Sequence, residues 1–363
     1  MRATPCQATK RNIPILPPAR QLLFGLLLCG VLLARPISTQ AQPPNARIGE
    51  AVPRDVRELY NKGLQYLAKT QTQAGGWSGG QVGPGVTGLS LMVFLASGED
   101  PNFGQYSGNV RRAVRSLIAS QDTTTGIMGT SMYHHGFGML GLAEAYGAVD
   151  DRRVWPEGKK GRTIGIALEL AVRAALTSQK NNTLGAWRYS PAAIDADTSV
   201  SGAVLVGLLA ARNAGIEVPD TAIDRAISYY TKMTSSSGQV AYSGIGGGES
   251  LARTSIAALV FSIARRKDLP QFKSTLNFLV DKIEFTGNSG FGWINYQRYY
   301  QAQALFQGDV DAWERWNKLL IRQMKTTQQA DGSFPGTHGA AASTSLSLLG
   351  VALNYRLLPI YER

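Results

Sequence analysis

Two carboxylates, Asp195 and Asp197 in the run DADTS, stand two positions apart where a loop passes into an apolar helix. Paired in this way they can hold a proton at a raised pKa, as an acid catalyst requires. The same spacing also serves a plainer purpose, with Asp197 or Thr198 accepting from the first helical turn as an N-cap. The only three histidines form a second group: His134 and His135 in MYHHGFG, and His338 in FPGTHGAAAST. Gathered beside the aspartates they offer a general base or a metal ligand. Adjacent helical positions point about 100° apart, so at most one of the pair faces a shared cavity. Capping and loop hydrogen bonds are their expected use, and neither a metal nor a cofactor is expected.

Aromatic residues make the third group. Tyr133, Trp187, Tyr189, Tyr242, Trp293, Tyr296, Tyr299 and Tyr300 all flank helix starts. They offer a lining for an isoprenoid, a carbocation or sugar rings, or packing between helix ends. The binding candidates are His134, His135, Trp187, Tyr189, Tyr242, Trp293, Tyr299, Tyr300 and His338, beside the catalytic candidates Asp195 and Asp197. Glu249 and Arg253, spaced i and i+4, are expected to pair.

These residues need elements to hold them, and a pattern recurring six times supplies them. Each unit is an amphipathic helix, a Gly-rich loop usually ending in an aromatic, and a more uniformly apolar helix. The amphipathic helices are expected at Arg54–Thr70, Gly108–Ser120, Arg162–Gln179, Pro219–Met233, Gln271–Glu284 and Val310–Gln328. Val56, Leu59, Tyr60, Leu64 and Leu67 in the first keep helical spacing, with charges on the opposite face. The apolar helices are expected at Val86–Ser97, Tyr133–Gly147, Thr198–Ala214, Ser250–Arg265, Arg298–Gln307 and Ser343–Leu358. Six wet-sided helices alternating with six dry ones are satisfied by two concentric rings. The fold class is therefore all-α, an (α/α)6 toroid over residues 54–363. Because the chain reverses at every turn, all six Gly-aromatic loops fall on one end, at the inner helices' N-termini, where the helix dipoles favour anions.

Composition bounds the rest. The chain has 363 residues, 44% hydrophobic and 17% charged, ample for one large domain. Its net charge is +12, of which Arg2, Lys10, Arg11, Arg20 and Arg35 supply five, leaving +7 after residue 41. Those charges are scattered, with no basic run to track a phosphate backbone, so nucleic acid is not expected as a partner. Residues 22–34, LLFGLLLCGVLLA, follow Lys10, Arg11 and Arg20 and precede the small-residue site Thr39-Gln40-Ala41. This reads as a signal peptide over residues 1–41, with a Pro-rich linker at 42–53. The apolar run is shorter than the roughly 20 residues of a spanning helix, while Arg35 directly after it leaves an N-terminal membrane anchor open. Export to the periplasm or cell envelope is expected. Both cysteines, Cys6 and Cys29, lie in the leader, so the mature chain has no disulfide, thiolate chemistry or Cys–metal site.

Gln71…Gly76-Trp77 and Gln179…Gly185-Ala186-Trp187 resemble the glutamine–tryptophan repeats of the squalene–hopene cyclase and protein-prenyltransferase superfamily, whose domains are such toroids. DADTS resembles a shortened form of the Asp-x-Asp-Asp-Thr signature of class II terpene cyclases, in which an aspartic acid protonates an alkene. Set on the first and third places, the match puts Asp197 at the donor and Thr198 at the last aspartate. Set on Asp-Thr instead, it puts Ala196 at the donor. The resemblance spans one toroid, residues 54–358, and implies an exported single-toroid protein whose cavity mouth suits an apolar or isoprenoid-like ligand. The alternatives are a terpene cyclase-like isomerase using Asp197 as acid, and a carbohydrate-active (α/α)6 enzyme. An apolar small molecule, a lipid or a cell-envelope component is the expected partner.

Overall fold

Helix starts follow the capping residues. In the computed structural model, which describes residues 52–244, 250–283 and 293–361, the chain is helical throughout. The leader, most of the linker and Glu249 lie outside the described residues. The helices are α1 Arg54–Thr70, α2 Pro84–Leu95, α3 Ser107–Ala119, α4 Met132–Ala145, α5 Asp151–Val154, α6 Ile164–Lys180 and α7 Thr198–Asn213. They continue with α8 Asp220–Met233, α9 Leu251–Ile263, α10 Pro270–Asp281, α11 Ile294–Gly308, α12 Val310–Thr327 and α13 Ala340–Ala352. Ser131, Thr163, Asp197, Ser250 and Asp309 each cap a helix by accepting from an amide in its first turn.

The apolar helices close a ring. They pack in the cyclic order α2, α4, α7, α9, α11, α13 and back to α2, with α1, α3, α6, α8, α10 and α12 outside. The architecture is the (α/α)6 toroid. Small residues let the inner helices approach: a side chain at Gly141 would meet the backbone of Gly88, and one at Gly136 the backbone of Ala203.

The repeated glutamine explains how the outer ring closes. At the end of an outer helix its side-chain amide donates to its own loop and to the next outer helix. Gln71 reaches Gly75 and Asn109, Gln121 reaches Gly126 and Ala167, and Gln179 reaches Gly185 and Ala222. Gln328 bonds Gly332 and then Leu59 on α1, which joins the last repeat to the first. The loop glycine must be glycine: Gly75 has φ 91°, and a Cβ there would lie 2.0 Å from the Arg112 carbonyl oxygen. The tryptophan completes the unit, Trp77 Nε1 donating to Leu67 and Trp187 Nε1 to Ala175, both at 2.9 Å.

Besides the short helix α5, where none was expected, two elements depart from expectation. Helix α11 starts at Ile294 rather than Arg298, because polar residues occupy its buried first turn and hide the apolar pattern. Helix α13 runs from Ala340 to Ala352, three alanines extending it at the start and a turn through Arg356, at φ 54°, following its end. Among the described residues no helix is long and apolar enough to cross a membrane.

Candidate functional site at the toroid mouth

Every inner helix begins at the same end, and backbone bonds stitch neighbouring loops together there. Met132 N–H donates to the Tyr189 carbonyl, Thr198 N–H to Tyr242, and Gln81 N–H to His338, at 2.8–2.9 Å. A row of rings crosses the opening on this frame. Tyr242 and Tyr189 share a hydroxyl hydrogen bond of 3.0 Å, and the Tyr189 and Tyr133 centroids are 5.8 Å apart. Tyr133 meets Tyr296 at 6.4 Å, with hydroxyls 3.3 Å apart; Tyr296 meets Trp293 at 5.9 Å, and Trp293 meets His338 at 4.2 Å. Trp293 and Tyr189 keep 41% and 46% of their surface in solvent.

This row also closes the bore. In a six-helix ring with neighbours about 8–10 Å apart, opposite axes stand roughly 16–20 Å apart, so aromatic side chains from facing walls meet in the middle. Helices α4 and α11 are such a facing pair, and Tyr133–Tyr296 spans between them. One turn deeper Phe137 and Tyr299 do the same at 6.4 Å, with Tyr300 packed on Tyr299 at 4.8 Å. Burial pushes the Tyr133, Tyr296, Tyr299 and Tyr300 hydroxyls above the usual tyrosine range, so all four remain protonated donors.

The aspartates lie at one end of the row. Asp197 caps α7, its Oδ1 accepting from Val200 N–H at 2.8 Å, and the residue is fully buried. Its Oδ2 stands 3.5 Å from Arg188 Nε and has no hydrogen-bond partner. Burial raises its pKa, against the opposing effects of the Val200 amide, Arg188, the Ser199 amide and the Tyr242 hydroxyl. Asp195 is 63% exposed and takes Arg188 Nη1 at 2.9 Å. Arg188 thus holds both carboxylates, with its guanidinium over the Tyr242 and Tyr189 rings at 5.5 and 5.9 Å. Asn182 Nδ2 donates to the Ala193 and Asp195 carbonyls and fixes the loop between them.

Four of the sequence candidates fall elsewhere. His135 is fully buried with both ring nitrogens on backbone: Nδ1 accepts from Met128 N–H at 3.2 Å, and Nε2 donates to Ala171 on α6 at 3.0 Å. It is a spacer between inner and outer rings, and burial lowers its pKa to about 4, so it is neutral. Trp187 is sealed behind the loop by its bond to Ala175. His134 is wedged between helices, Nδ1 accepting from Gly85 N–H at 3.3 Å, and burial lowers its pKa. Tyr300 lies below the crossing rings. Asp195, Asp197, Tyr189, Tyr242, Trp293 and His338 remain on the mouth frame, joined by Tyr299 one turn down the bore. His338 has a buried Nε2 without a partner, and burial lowers its pKa. Among the described residues no three His, Cys, Asp or Glu side chains could hold a metal ion.

Arg188 and Tyr229 were not among the sequence candidates. Tyr229 on α8 is buried, with a hydroxyl that has no hydrogen-bond partner and a pKa raised by burial and then by Asp197. Arg188 is seven and nine residues from the aspartates across an irregular loop, where no period reports contact. Tyr229 sits on an outer helix whose apolar face looks like ordinary packing.

The family model described as "Domain of unknown function (DUF6288)" matches residues 57–335. The chain belongs to this family. This member of it is an (α/α)6 toroid. A variant of the type II terpene cyclase MstE from Scytonema, in complex with geranylgeranyl dihydroxybenzoate, has TM-score 0.55 at 13% identity, covering 84% of this chain and 98% of that one. The GH76A alpha-1,6-mannanase from Salegentibacter sp. HEL1_6 has TM-score 0.61 at 8% identity, covering 82% and 99%. At such identities the likeness is one of fold. No curated protein matches the chain in sequence.

Proposed function

We propose that this protein is a glycan-binding toroid of the cell envelope, holding sugar rings across the aromatic row at its mouth. The observation that carries this reading is the row itself, unbroken from Tyr242 to His338 and partly exposed at Tyr189 and Trp293. Rings spaced about 6 Å apart and tilted to one another, two of them partly exposed, offer separate stacking positions for sugar C–H faces, while Arg188 and Asp195 offer donors and acceptors to hydroxyls. An extended isoprenoid would need depth instead, and rings from facing helices span the bore one layer below the surface. Export by the leader at residues 1–41 is part of the proposal, and cell fractionation tests it. The binding test is calorimetric titration with manno-, cello- and chito-hexaose and with geranylgeraniol. A hexaose should bind and Trp293→Ala should weaken it about tenfold, the loss of roughly one stacked ring. Binding of geranylgeraniol alone would sink the reading.

One observation favours a second reading. Asp197 is buried, held toward its protonated form, and has one oxygen without a hydrogen bond, as an acid acting on an alkene would. Turnover of polyprenyl substrates that Asp197→Asn abolishes would support that reading over glycan binding.

A further inference from the structure

The six outer helices do not share charge evenly. Helix α1 carries Arg54, Arg57, Lys62 and Lys69 against Asp55 and Glu58, and α12 carries Arg315, Lys318, Arg322 and Lys325 against Asp311 and Glu314. Helix α3 has Arg111, Arg112 and Arg115 and no acid. Together these three helices hold +7, the whole net charge of the chain beyond residue 41, whereas α6, α8 and α10 together hold +1. The three are consecutive in the ring. Lys325 Nζ on α12 stands 3.5 Å from Asp55 on α1, and Arg112 Nη2 on α3 donates to Gln71 at the end of α1 at 2.9 Å. The cations of α1 and α12 are exposed, and the half-buried α3 arginines donate to neutral acceptors on Asn102, Gln71 and Val154, so their charge adds to the wall. No basic run exists in the sequence; the ring order gathers one side.

The mouth has the opposite sign, its described loops holding Asp122, Asp195, Asp197 and Asp331 against Arg188. At the far end of the toroid, where the inner helices finish, the loop into α3 carries Phe103, 71% exposed. The Asp100 carboxylate fixes this turn by accepting from the Asn102 and Phe103 amides, and the Arg153 guanidinium lies 4.1 Å from the Phe103 ring. Leu357, 49% exposed, lies beside the same loop, since a Cβ on Gly98 would stand 3.4 Å from its Cδ1. Arg111 Nη1 reaches the Asn102 carbonyl at 3.2 Å, so the apolar pair borders the basic wall.

We propose that the α12–α1–α3 wall, with Phe103 and Leu357 at its edge, docks on an anionic lipid surface and leaves the acidic mouth facing away from it. Each Lys or Arg near negative headgroups strengthens binding roughly fivefold, and exposed apolar side chains then enter the boundary between headgroups and acyl chains. A polyanion in solution would engage the cations but offers no such boundary to Phe103 and Leu357. Docking of this kind does not depend on what the mouth binds.

The test is sedimentation of the full-length protein with vesicles of phosphatidylcholine, and with vesicles of phosphatidylcholine and phosphatidylglycerol in equal parts. Two triple variants keep the leader and lower the net charge alike, so comparing them isolates the wall. Lys62→Gln, Lys318→Gln and Arg322→Gln together should weaken binding to the anionic vesicles about a hundredfold, roughly fivefold at each site. Arg173→Gln, Lys232→Gln and Lys273→Gln, on α6, α8 and α10, should change it less than about twofold, because charges more than about 10 Å from the lipid are screened. Phe103→Ser should weaken it about tenfold with the thermal midpoint unchanged. Equal effects of the two triples, or equal binding to both kinds of vesicle, would overturn the proposal. So would a Phe103→Ser variant that binds vesicles like wild type while the wall triple loses binding to duplex DNA or polygalacturonate, which would assign the wall to a soluble polyanion.

Discussion

The starts of α4 and α7 look alike in sequence and differ in how far their bonding is complete. Each opens an apolar inner helix with a titratable residue, His135 in one and Asp197 in the other, and each side chain is fully buried. At His135 both ring nitrogens have backbone partners, and the group is neutral. At Asp197 one oxygen caps the helix and the other is left without a hydrogen bond beside Arg188. Burial of a polar group alone therefore does not mark a site.

Substitutions at these two helix starts should differ in size and in sign. His135→Ala should cost about 4 kcal/mol in chemical denaturation, since it leaves a cavity and strands the Met128 amide and the Ala171 carbonyl. Acid should act through the same residue. Its folded pKa of about 4 lies below the usual 6.5, so its contribution is present above 6.5 and is lost as pH falls toward 4. That loss should approach about 3 kcal/mol in melts across this range, and His135→Asn should remove most of it. Asp197→Ala should cost less, about 1–2 kcal/mol, for the lost cap.

Asp197→Asn keeps the cap and should leave stability within about 0.5 kcal/mol. It should also flatten a slope of opposite sign. A carboxyl whose folded pKa is raised contributes stability below its unfolded value, and that contribution is lost as pH rises through the folded one. Tyr189→Ala should change the thermal midpoint least of all, because the side chain is nearly half exposed, while still weakening hexaose binding.

Legibility in the sequence follows period. The helix pairs and the toroid are readable because alternating wet and dry faces recur six times, with a glycine-bearing loop after each outer helix. Asp197 is readable as a cap for the same reason. Contacts across the bore are not: nothing in the spacing of Tyr133 and Tyr296 says that they come from facing helices and touch. His135 misleads because a helix position facing the outer ring and one facing the bore differ only by a rotation of about 100° per residue, which one helix alone cannot orient. The short helix α5 lies between repeats and has no period to betray it.

The role of the mouth is tested most directly by titrating the full-length protein with manno-, cello- and chito-hexaose while following tryptophan fluorescence. A saturable change is expected with at least one of them, disappearing in Trp293→Phe and not produced by geranylgeraniol. A response to geranylgeraniol alone, or a hexaose response that persists in Trp293→Phe and Tyr189→Ala, would contradict it.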